Sequence, residues 1–61
     1  MIIVRNKISN KLEEVYAGWA EYFESPDYHY HVDDMLYEKK DKYLHELTFE
    51  ELNRARNNRI I

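Results

Sequence analysis

The sequence predicts an all-α fold, a small domain of two or three helices. Three observations carry that expectation. Only one glycine and one proline occur among 61 residues, so the breakers that a turn-rich β-fold needs are scarce. Charged residues make up 34 % of the chain, which suits solvated helix faces. Two segments also carry apolar residues at helical spacing behind capping residues. An α+β arrangement with a short N-terminal strand is the alternative.

Ile2-Ile3-Val4 reads either as that strand or as a backward continuation of the first helix. The first helix is placed at about residues 10–24. Ile8, Leu12, Val15, Trp19 and Tyr22 recur at steps of four, three, four and three, with Tyr16 and Phe23 flanking; this is an apolar stripe on one helix face. Ser9 or Asn10 can cap it, Asn10 and Glu13 have the capping-box spacing, and Pro26 ends it. Gly18 falls inside this helix, at a cost of about 1 kcal/mol relative to alanine. With Ala17 and Ala20 it would admit close approach by another helix.

The middle reads as a helix over residues 34–47, capped by Asp33, with Met35, Leu36, Tyr43, Leu44 and Leu47 as its apolar positions. Ser25-Pro26-Asp27 has the order N-cap, N1, N2, yet Tyr28-His29-Tyr30-His31-Val32 alternates with period two, a strand signal. Residues 25–33 thus stay open between helix, loop and strand. The third helix, residues 49–58, has the clearest start. Thr48 and Glu51 form a capping box, and Leu47 with Leu52 occupies the hydrophobic-staple positions. The whole chain is read as one domain, residues 1–61, with the stripe of the first helix packed on Leu36, Tyr43 and Leu47. An α+β variant would pair residues 2–4 with residues 28–32 or 60–61.

A domain this short buries only roughly 60 % of the surface its unfolded chain exposes. Its core supplies no more than about 3–5 kcal/mol, so a subunit interface would help it, and a homo-oligomer is one expectation. The absence of cysteine excludes disulfides and thiolate metal sites and suits a reducing compartment. No apolar run approaches the roughly 18 residues that span a bilayer, and the opening apolar run is too short for a signal peptide. A cytoplasmic chain with no membrane partner is expected.

His29, His31 and Asp33, with Asp34 adjacent, are the only cluster with metal-ligand chemistry. On an extended segment, residues 29, 31 and 33 would share a face, and two imidazoles with a carboxylate suit zinc. The spacing resembles the His-x-His-x-Asp motif of metallohydrolases, which draws further ligands from distant strands; here only His45 is left. The preferred reading is a solvated polar segment, with no metal and no cofactor. Catalysis finds no support either. Ser9 and Ser25 are the only serines and both read as caps, Glu13 and Glu14 diverge on a helix, and one glycine makes no phosphate loop.

Binding is what remains. Net charge is −3, but it is unevenly spread. Residues 24–38 hold five acids (Glu24, Asp27, Asp33, Asp34, Glu38) and no Lys or Arg, whereas residues 54–59 hold three Arg and no acid. Tyrosine is abundant, and large aromatics with a polar handle dominate protein interfaces. The expected function is a protein-binding regulator or inhibitor that occludes a partner protein's surface through Tyr28, Tyr30, Asp33, Asp34 and Tyr37. The alternative is a small dimeric nucleic-acid-binding regulator using Arg54, Arg56 and Arg59.

Overall fold

The computed structural model describes all 61 residues. Strands β1 (Ile2–Asn6), β2 (Leu12–Tyr16) and β3 (Tyr37–Asp41) form one antiparallel sheet with β1 in the middle. Helices α1 (Trp19–Glu24) and α2 (Phe49–Asn57) and two 3₁₀ turns, Pro26–Tyr30 and Leu44–Glu46, complete it. The fold is α+β, so the all-α expectation is wrong. The α+β alternative fits, although β1 pairs with β2 and β3 and not with residues 28–32 or 60–61.

β1 explains the layering. Ile2, Ile3 and Val4 are all buried, and successive side chains of a strand point to opposite faces. Ile2 and Val4 therefore meet Tyr16 and Tyr22 on one face, while Ile3 meets Val15 and Ala55 on the other. An unbroken apolar run is what a strand buried on both faces requires.

No helix spans residues 10–24. β1 and β2 form a hairpin whose turn is set by Asn6; its side-chain oxygen accepts the N–H groups of Ile8 and Ser9 at 2.8 and 3.0 Å, an Asx turn. Asn10 sits at φ 60°, a left-handed conformation that asparagine tolerates better than most residues. Ile8 is out in solvent. The helical stripe was imitated by a β-bulge. Val4 pairs with Glu14 but Arg5 pairs with Leu12, so Glu13 is the extra residue and Leu12 returns to the face of Val15 and Ile3. A bulged strand thus presents apolar residues three apart on one side, as a helix would.

α1 keeps only the last part of that stripe. Gly18 is its N-cap, in extended conformation and without a side-chain cap. The Glu21 carboxylate folds back over it, with Oε2 3.0 Å from where a β-carbon on residue 18 would stand. The glycine thus makes room for a carboxylate at its own helix start, where negative charge is favoured, and not for a neighbouring helix.

The expected helix over residues 34–47 is also absent. Asp33 does cap a turn, its Oδ1 accepting Met35 N–H at 2.9 Å and its carbonyl accepting Leu36 and Tyr37 N–H. From Tyr37 the chain extends as β3. Its sequence is mostly charged and has little β preference, so pairing along all of β1 overrides propensity. Of the apolar residues assigned to that helix, only Leu47 packs on a core cluster, the one around Ile3. Ser25 caps the preceding 3₁₀ turn by accepting Asp27 N–H at 3.1 Å, with Pro26 in the first position.

α2 lies on the Ile3 face. Thr48 Oγ1 accepts Glu51 N–H at 3.2 Å and Glu51 Oε1 accepts Thr48 N–H at 3.0 Å, the reciprocal capping box. The helix closes with Arg59 at φ 60°, Ile60 N–H bonded to Ala55 O and Arg59 N–H to Arg56 O. This is a Schellman motif with arginine where glycine is usual. Glu51 itself is only 1 % exposed. Its carboxylate accepts Lys42 Nζ at 3.0 and 3.2 Å and Arg5 Nη2 at 3.0 Å, tying α2 to β1 and to the end of β3. Burial alone would push the Glu51 carboxyl up, but the Thr48 amide, the Lys42 and Arg5 hydrogen bonds and the Lys42 charge outweigh it and hold it below the ordinary value.

The two sheet edges differ. On β2, the Glu14 carboxylate accepts Val15 N–H and Asn58 Nδ2, and Asn58 Nδ2 also reaches Val15 O at 3.1 Å. The β2 edge is thereby covered at its centre by side chains. β3 forms the other edge and is charged from Glu38 to Asp41.

Two predictions follow from these local structures. In a helix interior Gly18→Ala would stabilise by about 1 kcal/mol; at this N-cap, where glycine outranks alanine, it should destabilise by about 0.5–1 kcal/mol in urea unfolding. Glu51→Gln should cost about 2 kcal/mol, the scale of hydrogen bonds to a charged group. Because the folded Glu51 titrates below its unfolded value, its contribution is fully present above the ordinary glutamate range. It is lost as pH falls through about 4 toward the lower folded value. The urea midpoint of Glu51→Gln should therefore fall less steeply with acid than that of the wild type.

Candidate functional site

The face of the sheet opposite α2 is covered by aromatic rings. Tyr22 is its centre, 2 % exposed. It stands edge-on to Tyr16 at 5.2 Å and to Tyr28 at 5.3 Å, and its hydroxyl donates to His31 O at 3.2 Å. One side chain thus fastens α1 to the sheet and to the segment after it. Burial pushes the Tyr22 phenol up, against the opposing pull of the Lys39 charge, so it remains a hydrogen-bond donor at neutral pH.

The neighbours of Tyr22 cannot all be enclosed. Trp19 and Phe23 pack against it at 5.7 and 5.1 Å and stack on each other at 6.2 Å. Their outer surfaces stay in water, 42 % of Trp19 and 58 % of Phe23. They form one wall of an open groove of about 550 Å³, continued by Tyr28, Val32 and Tyr37. Lys7, Asp34, Glu38 and Lys39 supply its polar lining. Lys39 follows Tyr37 by two, and both belong to the Val4 face of the strand. Its ammonium meets the Asp34 carboxylate in a short ion pair, and the Lys39 hydrogen bond and charge hold the Asp34 carboxyl below its usual value. Lys7 Nζ donates to Asp34 O at 2.6 Å.

The groove brings together three of the residues expected to face a partner: Tyr28, Asp34 and Tyr37. Tyr30 is exposed but lines no part of it, and Asp33 serves as a turn cap. Trp19 and Phe23 were expected in or beside a buried stripe and instead form the groove wall. The signal that could have found them is Gly18 read as a helix start: α1 then has only six residues, Trp19–Glu24, and one face of it cannot bury Trp19, Tyr22 and Phe23 together.

The other candidate groups are dispersed. His29 lies on the 3₁₀ turn and His31 stands edge-on to Tyr37 at 5.0 Å. No three His, Asp or Glu side chains are placed to ligate one ion. Arg54 lies 3.8 Å from Glu14, whereas Arg56 and Arg59 are exposed and enter no ion pair. Arg54 and Arg56 lie in the last turn of α2 and Arg59 just beyond it, and α2 packs on the face of the sheet away from the groove. No helix is long and apolar enough to cross a membrane.

Burial separates structural from surface aromatics here. Tyr22→Ala should cost about 3–5 kcal/mol and leave the chain largely unfolded. Phe23→Ala, one residue on, should cost about 1 kcal/mol or less because most of the ring is already in water. Urea unfolding of the two variants checks the contrast.

The chain matches no protein-family model, no curated protein and no solved structure, and its function is read from its own residues.

Proposed function

We propose that this chain is a small protein-binding regulator or inhibitor that acts by covering part of a partner's surface, with the aromatic groove as its docking face. The observation that carries this is the exposure of Trp19 and Phe23. A short chain gains stability from every ring it buries, yet these two are held outward around a buried Tyr22. Rings of this kind, apolar and rigid with few torsions to immobilise, are the commonest anchors of protein interfaces. The mechanism is steric: a partner segment seated between α1 and β3 is no longer available to others. Tyr28, Asp34 and Tyr37 contribute from the groove, and Tyr30 and Asp33 stand outside it.

The reading is of a binding module and not of an enzyme, since the only acid and amine in mutual contact in the groove, Asp34 and Lys39, are already paired with each other. The lack of cysteine supports a reducing compartment, and the cytoplasm is the setting we propose.

The test is affinity capture from extracts of the cells that make the protein, using three baits. Wild type and Arg56→Ala/Arg59→Ala should retain the same partner. Trp19→Ala/Phe23→Ala, checked for folding by circular dichroism, should retain at least about tenfold less, the loss expected for truncated hot-spot residues. Undiminished retention by the aromatic double variant would sink the proposal, and loss with the arginine variant alone would favour the opposite face.

A further inference from the structure

We infer that the outer edge of β3 is a second binding surface, which takes an extended segment of a partner protein as a fourth, antiparallel strand with glutamate opposite Lys40 and lysine opposite Glu38. The inference stands on the main chain and charges of β3 and does not rest on the aromatic groove. In an antiparallel ladder, residues alternate between turning their main-chain groups toward one neighbour and toward the other. At one end of the β1–β3 ladder the Lys42 N–H donates to Met1 O and the Met1 ammonium donates to Lys42 O, both at 2.8 Å. At the other end the Lys7 N–H donates to Leu36 O at 2.8 Å. Even-numbered residues of β3 therefore face β1, and Tyr37, Lys39 and Asp41 face outward. The Asp33 carbonyl takes the Tyr37 N–H at 2.9 Å, whereas the N–H and C=O of Lys39 and of Asp41 have no partner. On β2, by contrast, Val15 has its N–H taken by Glu14 and its carbonyl by Asn58. Two unpaired donors and two unpaired acceptors, two residues apart on a strand that pairs without a bulge, are what an extended backbone can satisfy with two of its own residues.

The side chains say which segment. Lys39 and Asp41 are already engaged, Lys39 with Asp34 and Asp41 with the amino terminus at 3.3 Å. Glu38 and Lys40 alternate onto the opposite face of the strand. Both are exposed and neither enters an ion pair. Arg5, which faces Glu38 across the ladder, is drawn instead to Glu50 and Glu51. An added strand thus meets one free anion and one free cation, two residues apart. Opposite charges directly across strands stabilise and like charges destabilise. The antiparallel direction is the one both existing strand pairs have, and it pairs slightly more stably per residue than the parallel one. In that direction the complement reads Glu-x-Lys from N- to C-terminus; in the parallel direction it would read Lys-x-Glu.

Amide hydrogen exchange and amide chemical shifts of the full chain, read by NMR, test this. In the free chain the Glu38 and Lys40 amides should exchange at least about tenfold more slowly than those of Lys39 and Asp41. The probe is the peptide acetyl-Ser-Thr-Glu-Val-Lys-Thr-Ser-amide, with its valine placed opposite Lys39. Its binding should shift the Lys39 and Asp41 amides and slow their exchange. The same peptide with glutamate and lysine interchanged should bind about tenfold more weakly, and the peptide N-methylated at valine should show no measurable binding, having lost a ladder donor. Glu38→Lys/Lys40→Glu, at exposed side chains, should reverse the preference between the two charge orders. Slow exchange of Lys39 and Asp41 in the free chain overturns the inference, because the edge would already be covered. So do a peptide that leaves those two amides unmoved, equal binding of the N-methylated peptide, and a preference for the interchanged order, which would mean parallel addition. Protection of the two amides that grows with protein concentration alone would make a second copy the occupant and overturns it as well.

Discussion

The run Ile2-Ile3-Val4 has no side that can face water, and both layers of the molecule answer to that. Ile3 needs cover on one face and receives α2 through Ala55, whose small side chain lets the helix approach the strand. Ile2 and Val4 need cover on the other face and receive Tyr16 and Tyr22. The two solutions differ in kind. One is a capped helix of ordinary length. The other is a short helix and a 3₁₀ turn that make up in ring area what they lack in turns. The second solution leaves aromatic surface over, and the groove is that surplus.

With so little apolar surface to bury, polar contacts decide where α2 sits. Glu51 is placed by its own capping box and then accepts from cations on two other parts of the chain. Isolating that carboxylate from water is expensive, and it is tolerable only because every partner is present at once. The arrangement makes α2 specific in position more than it makes it tightly held.

What the sequence disclosed followed the range of the signals. α2 was legible because a capping box is complete within four residues, from Thr48 to Glu51. β1 was legible as one of two readings, since Ile2-Ile3-Val4 offered a short strand beside a backward extension of the first helix. β2 was not, because the bulge at Glu13 reproduces the three-residue step of a helix and Trp19 and Tyr22 happen to extend it in the same phase. β3 was hidden more deeply. Nothing in Glu38-Lys39-Lys40-Asp41 asks for a strand; the request comes from β1, more than thirty residues away in sequence. The groove was half visible. Tyr28, Asp34 and Tyr37 stood out as a tyrosine-rich acidic stretch, while Trp19 and Phe23 were absorbed into an apolar stripe that the fold does not contain.

The open edge at β3 bears on how copies of this protein meet one another. An uncovered strand is a template for adding another, and the most available second strand in a concentrated solution is another β3. Its charges run minus, plus, plus, minus from Glu38 to Asp41. In the antiparallel register that sets all four opposite their counterparts, Glu38 meets Asp41 and Lys39 meets Lys40; in the parallel one, each meets itself. Both juxtapose like charges, which is unfavourable across strands. The near-palindrome therefore discourages the sheet from propagating through its own kind, and leaves that edge open to strands of a different charge order.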